Sequence, residues 1–156
     1  FPYTTLFRSI AEAAMHTATL VATRFSIVTT LPRTLVIARH LLQQYGFTHH
    51  CAALHAIDLP VLALEDGSGL AQEKVRQRCI QAKREDGCGA IVLGCGGMAT
   101  LAASLTQELE MPVIDGVSAA VKMVESLVAL GFGTSKQGDL AYPLHKPLSG
   151  AFQHLN

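Results

Sequence analysis

A cysteine set between glycines has the clearest chemical potential in this sequence. In the stretch AIVLGCGGM (90–98), a hydrophobic run ends and Cys95 is followed by Gly96 and Gly97. A helix that starts here leaves its first backbone N–H groups without intrahelical partners, and their partial positive charge favours a thiolate. The same donors can hold a carboxylate or a developing enolate oxygen. Cys95 is therefore a candidate base beside a candidate oxyanion site, although a small cysteine packed in a tight turn fits the pattern too.

The other three cysteines have less chemical context. Cys79 shares a helical stripe with Val75 and Ala82, so we expect it in the core. Cys88 follows a helix-ending glycine, and Cys51 begins a predicted strand. The four cysteines show no CxxC spacing, which favours free thiols in a reducing cytoplasm. We therefore expect a cytoplasmic protein.

Composition narrows the class of protein further. The 156 residues are 49% hydrophobic and 15% charged, and the formal net charge is zero. These values suit a globular α/β domain and argue against disorder. No basic run is present, so neither nucleic acid nor an anionic membrane is an expected partner. No apolar stretch reaches the length of a membrane-spanning helix.

Strand-like and helix-like segments alternate along the chain. Short apolar or β-branched runs predict strands at 25–30, 51–57, 90–94 and 112–115. Between them, apolar residues three and four apart predict helices, one of them capped by Thr30 and one running directly on from Cys95. The alternation predicts an α/β fold, a parallel sheet with helices on both faces.

Ligands of such folds bind beyond the carboxyl ends of the strands. The residues that fall there are Thr29, Thr30, Cys95, Gly96, Gly97, Asp115 and Gly116. The sequence GCGGMA also fits the dinucleotide fingerprint G-x-G-x-x-A, with Asp115 placed for a ribose hydroxyl. A dinucleotide-binding oxidoreductase is therefore one alternative, although the fingerprint gives no reason for the cysteine. A non-catalytic α/β module is another.

Five segments together resemble the hydantoin/allantoin racemase family, which belongs to the aspartate/glutamate racemase superfamily. They lie between residues 10 and 136 and read IAEAAMH, VTTLPRT, DLPVLALE, DGCGAIVLGCGGM and PVIDGVSAAVKMVESLVALGFGTSK. The resemblance implies a racemase without cofactor or metal that acts on a small molecule, a 5-substituted hydantoin or allantoin. One thiolate removes the proton beside a carbonyl, and an opposing thiol returns a proton to the other face.

The resemblance also implies roles for particular residues. Cys95 matches the second of the two cysteines, and the pocket positions named above surround its half of the site. Arg33 and Glu12 lie in matching segments, but Arg33 could equally cover a helix start and Glu12 could be a solvated first-turn carboxylate. A single-cysteine decarboxylase or isomerase of the same superfamily is the nearest alternative.

The resemblance divides the chain into four parts. Residues 1–9, FPYTTLFRS, show neither periodicity nor a helix cap and are predicted to be a non-native leader. Residues 10–111 form the second racemase lobe, 112–136 a strand and helix that return to the first lobe, and 137–156 an irregular tail. The family's first cysteine is expected upstream, so we expect a C-terminal portion that is inactive alone. The full-length enzyme could be a homo-oligomer.

Overall fold

The structure is a computed structural model that describes residues 9–64, 69–144, 147 and 149–155. Its centre is a four-stranded parallel sheet in the order β2-β1-β3-β4. The strands are β1 (Phe25–Thr29), β2 (Cys51–Ala56), β3 (Ala90–Leu93) and β4 (Val113–Asp115). The helices are α1 (Ile10–Val21), α2 (Thr34–Tyr45), α3 (Leu70–Glu85), α4 (Ala102–Leu109) and α5 (Gly116–Ala129). The predicted α/β class is confirmed.

Two hydrophobic cores, one on each face of the sheet, explain the order of the elements. On one face, α1 and α2 pack over Phe25, Ile27 and Val92, and α5 lies against α1. On the other face, α3 and α4 pack over Val28 and Ile91. The two central strands are buried along their whole length because helices cover both of their faces. The predicted arrangement of helices on both faces is confirmed.

A buried polar cluster attaches the end of α3 to the strands. The Ser26 hydroxyl donates to Asp86 Oδ2 at 2.5 Å, and His55 Nε2 lies 2.7 Å from the same oxygen. Ser26 is in β1, His55 in β2, and Asp86 directly follows α3. The carboxylate therefore fixes α3 against two strands while satisfying a serine that has no access to water.

Two predictions about helix caps are wrong. Ser9, assigned to the leader, caps α1, because its Oγ accepts a hydrogen bond from the Glu12 N–H at 3.1 Å. Thr30 does not cap α2, which begins at Thr34 without a side-chain cap. A turn intervenes there, closed by a 3.0 Å hydrogen bond from the Thr34 N–H to the Leu31 carbonyl. The rest of the predicted leader, residues 1–8, lies outside the described residues.

The segment after Cys95 also differs from its prediction. A 3-10 helix spans Gly96–Leu101, and α4 begins only after it. Glycines have low α-helix propensity, which fits a tighter first turn here. In the predicted irregular tail, the described residues include two further 3-10 helices, Gly138–Leu140 and Gly150–Leu155. No helix among the described residues is long and apolar enough to cross a membrane.

Candidate active site

The predicted site residues meet at one edge of the sheet. Thr29 ends β1, Cys95 follows β3 by two residues, and Asp115 ends β4. Because all four strands are parallel, their carboxyl ends share one edge. The topology therefore brings together side chains that are far apart in sequence, at the edge where ligands of such sheets bind.

Cys95 occupies the position that precedes the 3-10 helix. Its backbone is extended (φ −143°, ψ 130°), and its carbonyl accepts a hydrogen bond from the Met98 N–H at 3.0 Å. The side chain is half-buried and packs against the core on the α3 face. The 3-10 helix runs directly into α4, so the helical segment that follows Cys95 begins with a tighter turn than predicted.

The two glycines after Cys95 face different neighbours. A Cβ atom added to Gly97 would lie 3.2 Å from Leu64 Cδ1, 3.6 Å from Val61 Cγ1 and 3.8 Å from Cys95 Sγ. A Cβ added to Gly96 would lie 3.8 Å from Val117 Cγ2. Both glycines are exposed, and no backbone hydrogen bond among the described residues uses either amide N–H. Within the part of the chain that the structure describes, these N–H groups have no backbone acceptor outside the helix and are candidate donors beside the thiol.

Thr29 belongs to a chain of hydroxyl groups. Its Oγ1 lies 3.1 Å from Thr34 Oγ1 and 3.4 Å from the Gly94 carbonyl oxygen. Thr34 donates its own proton to the Leu31 carbonyl at 2.6 Å, so its oxygen is left to accept from Thr29. The Thr29 proton therefore has acceptors within the protein, and the Thr29 oxygen is a candidate acceptor toward a ligand.

Thr34 is a further candidate site residue that the sequence did not predict. With Thr29 and Gly94 it lines a cavity of about 220 Å³, whose other walls are mainly apolar side chains of α1 and α2. The segment VTTLPRT, already singled out, contains Thr34, but only the fold shows that its hydroxyl meets Thr29. Thr30 is buried, and its carbonyl accepts from the Leu59 N–H at 3.2 Å.

Asp115 and Gly116 form the start of α5. Asp115 Oδ1 accepts a hydrogen bond from the Ser118 N–H at 2.8 Å, which makes the buried carboxylate a helix cap. A Cβ added to Gly116 would overlap the carbonyl group of Ile10, so the first turns of α1 and α5 touch at this glycine. Both residues have structural roles that the sequence did not predict.

The two weaker candidates lie at helix starts. Glu12 is half-buried in the first turn of α1, where its backbone N–H bonds to the Ser9 hydroxyl. Arg33 is exposed and directly precedes α2.

The remaining thiols lie away from this edge. Cys51 begins β2, Cys79 lies on the buried face of α3, and Cys88 precedes β3, while all four cysteines are free. Burial raises the pKa of Cys51 to about 11 and that of Cys79 to about 12. Cys79 is thus a core residue, as predicted. Among the described residues, no group of three or more His, Cys, Asp or Glu side chains is placed to hold a metal ion.

Fold and site together define an α/β protein with a half-exposed cysteine at the carboxyl edge of a parallel sheet. The chain belongs to the Asp/Glu/Hydantoin racemase family, whose family model matches residues 7–124. It is 47% identical over 141 residues to a hydantoin racemase from Rhizobium meliloti, covering 90% of this chain and 58% of that protein. The resemblance inferred from sequence segments is confirmed at the level of the family.

Two solved structures are similar to the whole of this fold. An allantoin racemase from Klebsiella pneumoniae is 83% identical, with a TM-score of 0.84 over 94% of this chain and 60% of that one. An allantoin racemase from Pseudomonas fluorescens is 42% identical, with a TM-score of 0.78 over 90% of this chain and 60% of that one. The chain therefore spans less than two thirds of the length of each of these relatives.

Proposed function

We propose that this chain carries one half of the active site of a racemase that acts on allantoin or on 5-substituted hydantoins. The observation that supports the proposal most is the position of Cys95. Its thiol is half-exposed at the carboxyl edge of β3, next to two glycine amides that no described backbone group uses. Family membership makes racemisation the first activity to test.

In the proposed reaction, Cys95 moves a proton at the stereogenic carbon. The thiolate takes the proton from the carbon beside a carbonyl, the electron pair moves to the carbonyl oxygen, and an enolate forms. The amides of Gly96 and Gly97 are the proposed donors to that oxygen, and the Thr29 oxygen is a proposed acceptor for a ring N–H. A thiol on the opposite face then returns a proton to carbon, which inverts the centre. In the reverse direction Cys95 is the acid.

The proposed opposing thiol is none of the other three cysteines of this chain. Cys51 and Cys88 lie at the amino ends of their strands, and Cys79 is on the buried face of α3. None of them faces Cys95 across the carboxyl edge of the sheet. We therefore propose that the second cysteine belongs to a first lobe and that this chain alone is inactive. A single-cysteine decarboxylase or isomerase is the alternative if that lobe supplies no thiol.

The proposed contact with a first lobe is supported by the surface of α5. Its stripe of Val117, Val121, Val124 and Val128 is exposed. An apolar cleft of about 580 Å³ lies between α1, β4 and α5. We propose that residues 112–136 pack against the first lobe, which would bury this surface. Residues 10–111 would form the second lobe. A cytoplasmic location and a homo-oligomeric full-length enzyme stay predictions.

Allantoin is the first substrate to test because this chain is 83% identical to the allantoin racemase from Klebsiella pneumoniae over the matched part, which covers 60% of that enzyme. The test is a chimera in which this chain replaces the matching part of that enzyme. Racemisation is followed by circular dichroism, starting from one allantoin enantiomer. We expect activity in the chimera and a loss of about 10²–10⁴-fold in Cys95→Ala, the usual contribution of general acid–base catalysis.

Cys88→Ala is the matched control because this thiol is also half-buried but lies at the other end of β3. It should leave the rate unchanged. Equal activity of the Cys95→Ala chimera and its parent would refute the proposed role of Cys95. Racemisation of allantoin by the 156-residue chain alone would refute the proposed need for a second lobe. Conversion of allantoin without racemisation would favour the single-cysteine alternative.

A further inference from the structure

The 3-10 helix Val61–Leu64, which follows β2, lies over the segment that carries Cys95. Three atoms surround the point where a Gly97 side chain would begin: Leu64 Cδ1, Val61 Cγ1 and Cys95 Sγ. All three are within 3.8 Å of that point. The apolar side chain of Val61, which is 34 residues from Cys95 in sequence, is thereby brought near the thiol.

Val61 and Leu64 differ in what they do for the fold. Leu64 is buried and belongs to the hydrophobic core on the α3 face. Val61 is 42% exposed and is not part of that core, although its Cγ1 lies 3.6 Å from the point where a Gly97 Cβ would be. The core therefore explains the position of Leu64 but leaves the exposed β-branched side chain of Val61 beside the thiol without a role.

We propose that Val61 is a specificity-determining residue: it forms an apolar wall over Cys95 and Gly97 that limits the size of groups that reach the thiol. Val61 Cγ1 and Cys95 Sγ lie 3.6 Å and 3.8 Å from the same point beside Gly97, so a substrate carbon that reaches Sγ from this side places part of its ring or substituent next to that point. That part meets Val61. A bulky or polar group on this side is disfavoured, whereas a compact apolar edge is accepted.

The inference rests on the proposed role of Cys95 but can be tested separately from it. The 156-residue chain is alkylated with a small reagent, iodoacetamide, and with a bulky one, N-phenylmaleimide. Modification at Cys95 is followed by peptide mass spectrometry. The measured quantity is the ratio of the two rates at Cys95, because a general change in thiol reactivity alters both rates alike.

Four variants make the test specific. Val61→Ala should raise the relative rate of N-phenylmaleimide severalfold, and Val61→Phe should lower it. Val61→Thr keeps the β-branched size and should keep the wild-type ratio. Leu62→Ala is the matched control, since Leu62 is the next residue, is 79% exposed and makes none of the three nearest contacts at Gly97.

An unchanged ratio in both Val61→Ala and Val61→Phe would overturn the proposal, as would an equal change in Leu62→Ala. Val61 is exposed, so we expect all four variants to fold, which thermal unfolding checks. The proposed racemisation fails by a different result, retained activity in the Cys95→Ala chimera. The two outcomes are therefore distinguishable.

Discussion

Asp115 caps α5 by accepting a hydrogen bond from the Ser118 N–H at 2.8 Å. Replacing the cap with alanine, Asp115→Ala, should lower the free energy of unfolding by about 1 kcal/mol, measured by urea denaturation. Asp115→Asn keeps a capping oxygen and should lose much less. In the chimera, a rate loss shared by both variants would indicate that the carboxylate also binds substrate. A rate loss in Asp115→Ala alone would indicate that only the cap matters.

Gly116 is where the first turns of α1 and α5 meet. A methyl group there would overlap the Ile10 carbonyl, which is backbone and cannot rotate away. Gly116→Ala should therefore destabilise the chain by about 1–3 kcal/mol, the usual cost of overpacking. Gly133→Ala is the control because nothing lies within 4 Å of its added Cβ. Equal unfolding free energies for the two variants would contradict the close approach.

One carboxylate oxygen of Asp86 forms hydrogen bonds with both Ser26 and His55. Asp86→Ala would leave the buried Ser26 hydroxyl without its acceptor and His55 without its partner. We expect a loss of about 1–3 kcal/mol in the free energy of unfolding, the desolvation cost of an unpaired buried group. The comparison is Glu125→Ala, which removes an exposed ion pair with Lys122 and should change stability by less than about 1 kcal/mol.

The sequence predicted the strands and the sheet because their signals are local. Continuous apolar runs such as AIVL indicate strands that are covered on both faces, and β3 has this burial. The edge strand β2 was placed equally well, although every one of its residues is only half-buried. The position of Cys95 at the carboxyl edge followed from the same alternation of elements.

What the sequence missed depends on contacts between distant segments. Thr34 meets Thr29 only after a turn delays the start of α2, and Val61 reaches Gly97 only when the sheet is assembled. The cap at Ser9 was not predicted because the segment FPYTTLFRS as a whole shows no helical periodicity. The helix after Cys95 was misjudged because apolar spacing does not separate a 3-10 turn from an α-helical one.

Cys79 should make stability depend on alkaline pH. Burial raises its pKa in the folded chain from 9.0 to about 12, so the folded state keeps its proton after the unfolded state has lost it. The folded pKa lies above the unfolded one, and this contribution is therefore complete below pH 9 and is lost as pH rises towards 12. Each unit of pH in that window should remove about 1.4 kcal/mol from the free energy of unfolding through this thiol.

Cys79→Ala should be less stable at pH 7 because of the cavity, yet its stability should fall less steeply between pH 9 and 11. The burial of Cys51 acts in the same direction and should leave part of the slope in the variant. Urea denaturation at successive pH values measures both slopes, and parallel slopes would show that the Cys79 thiol does not titrate in this way.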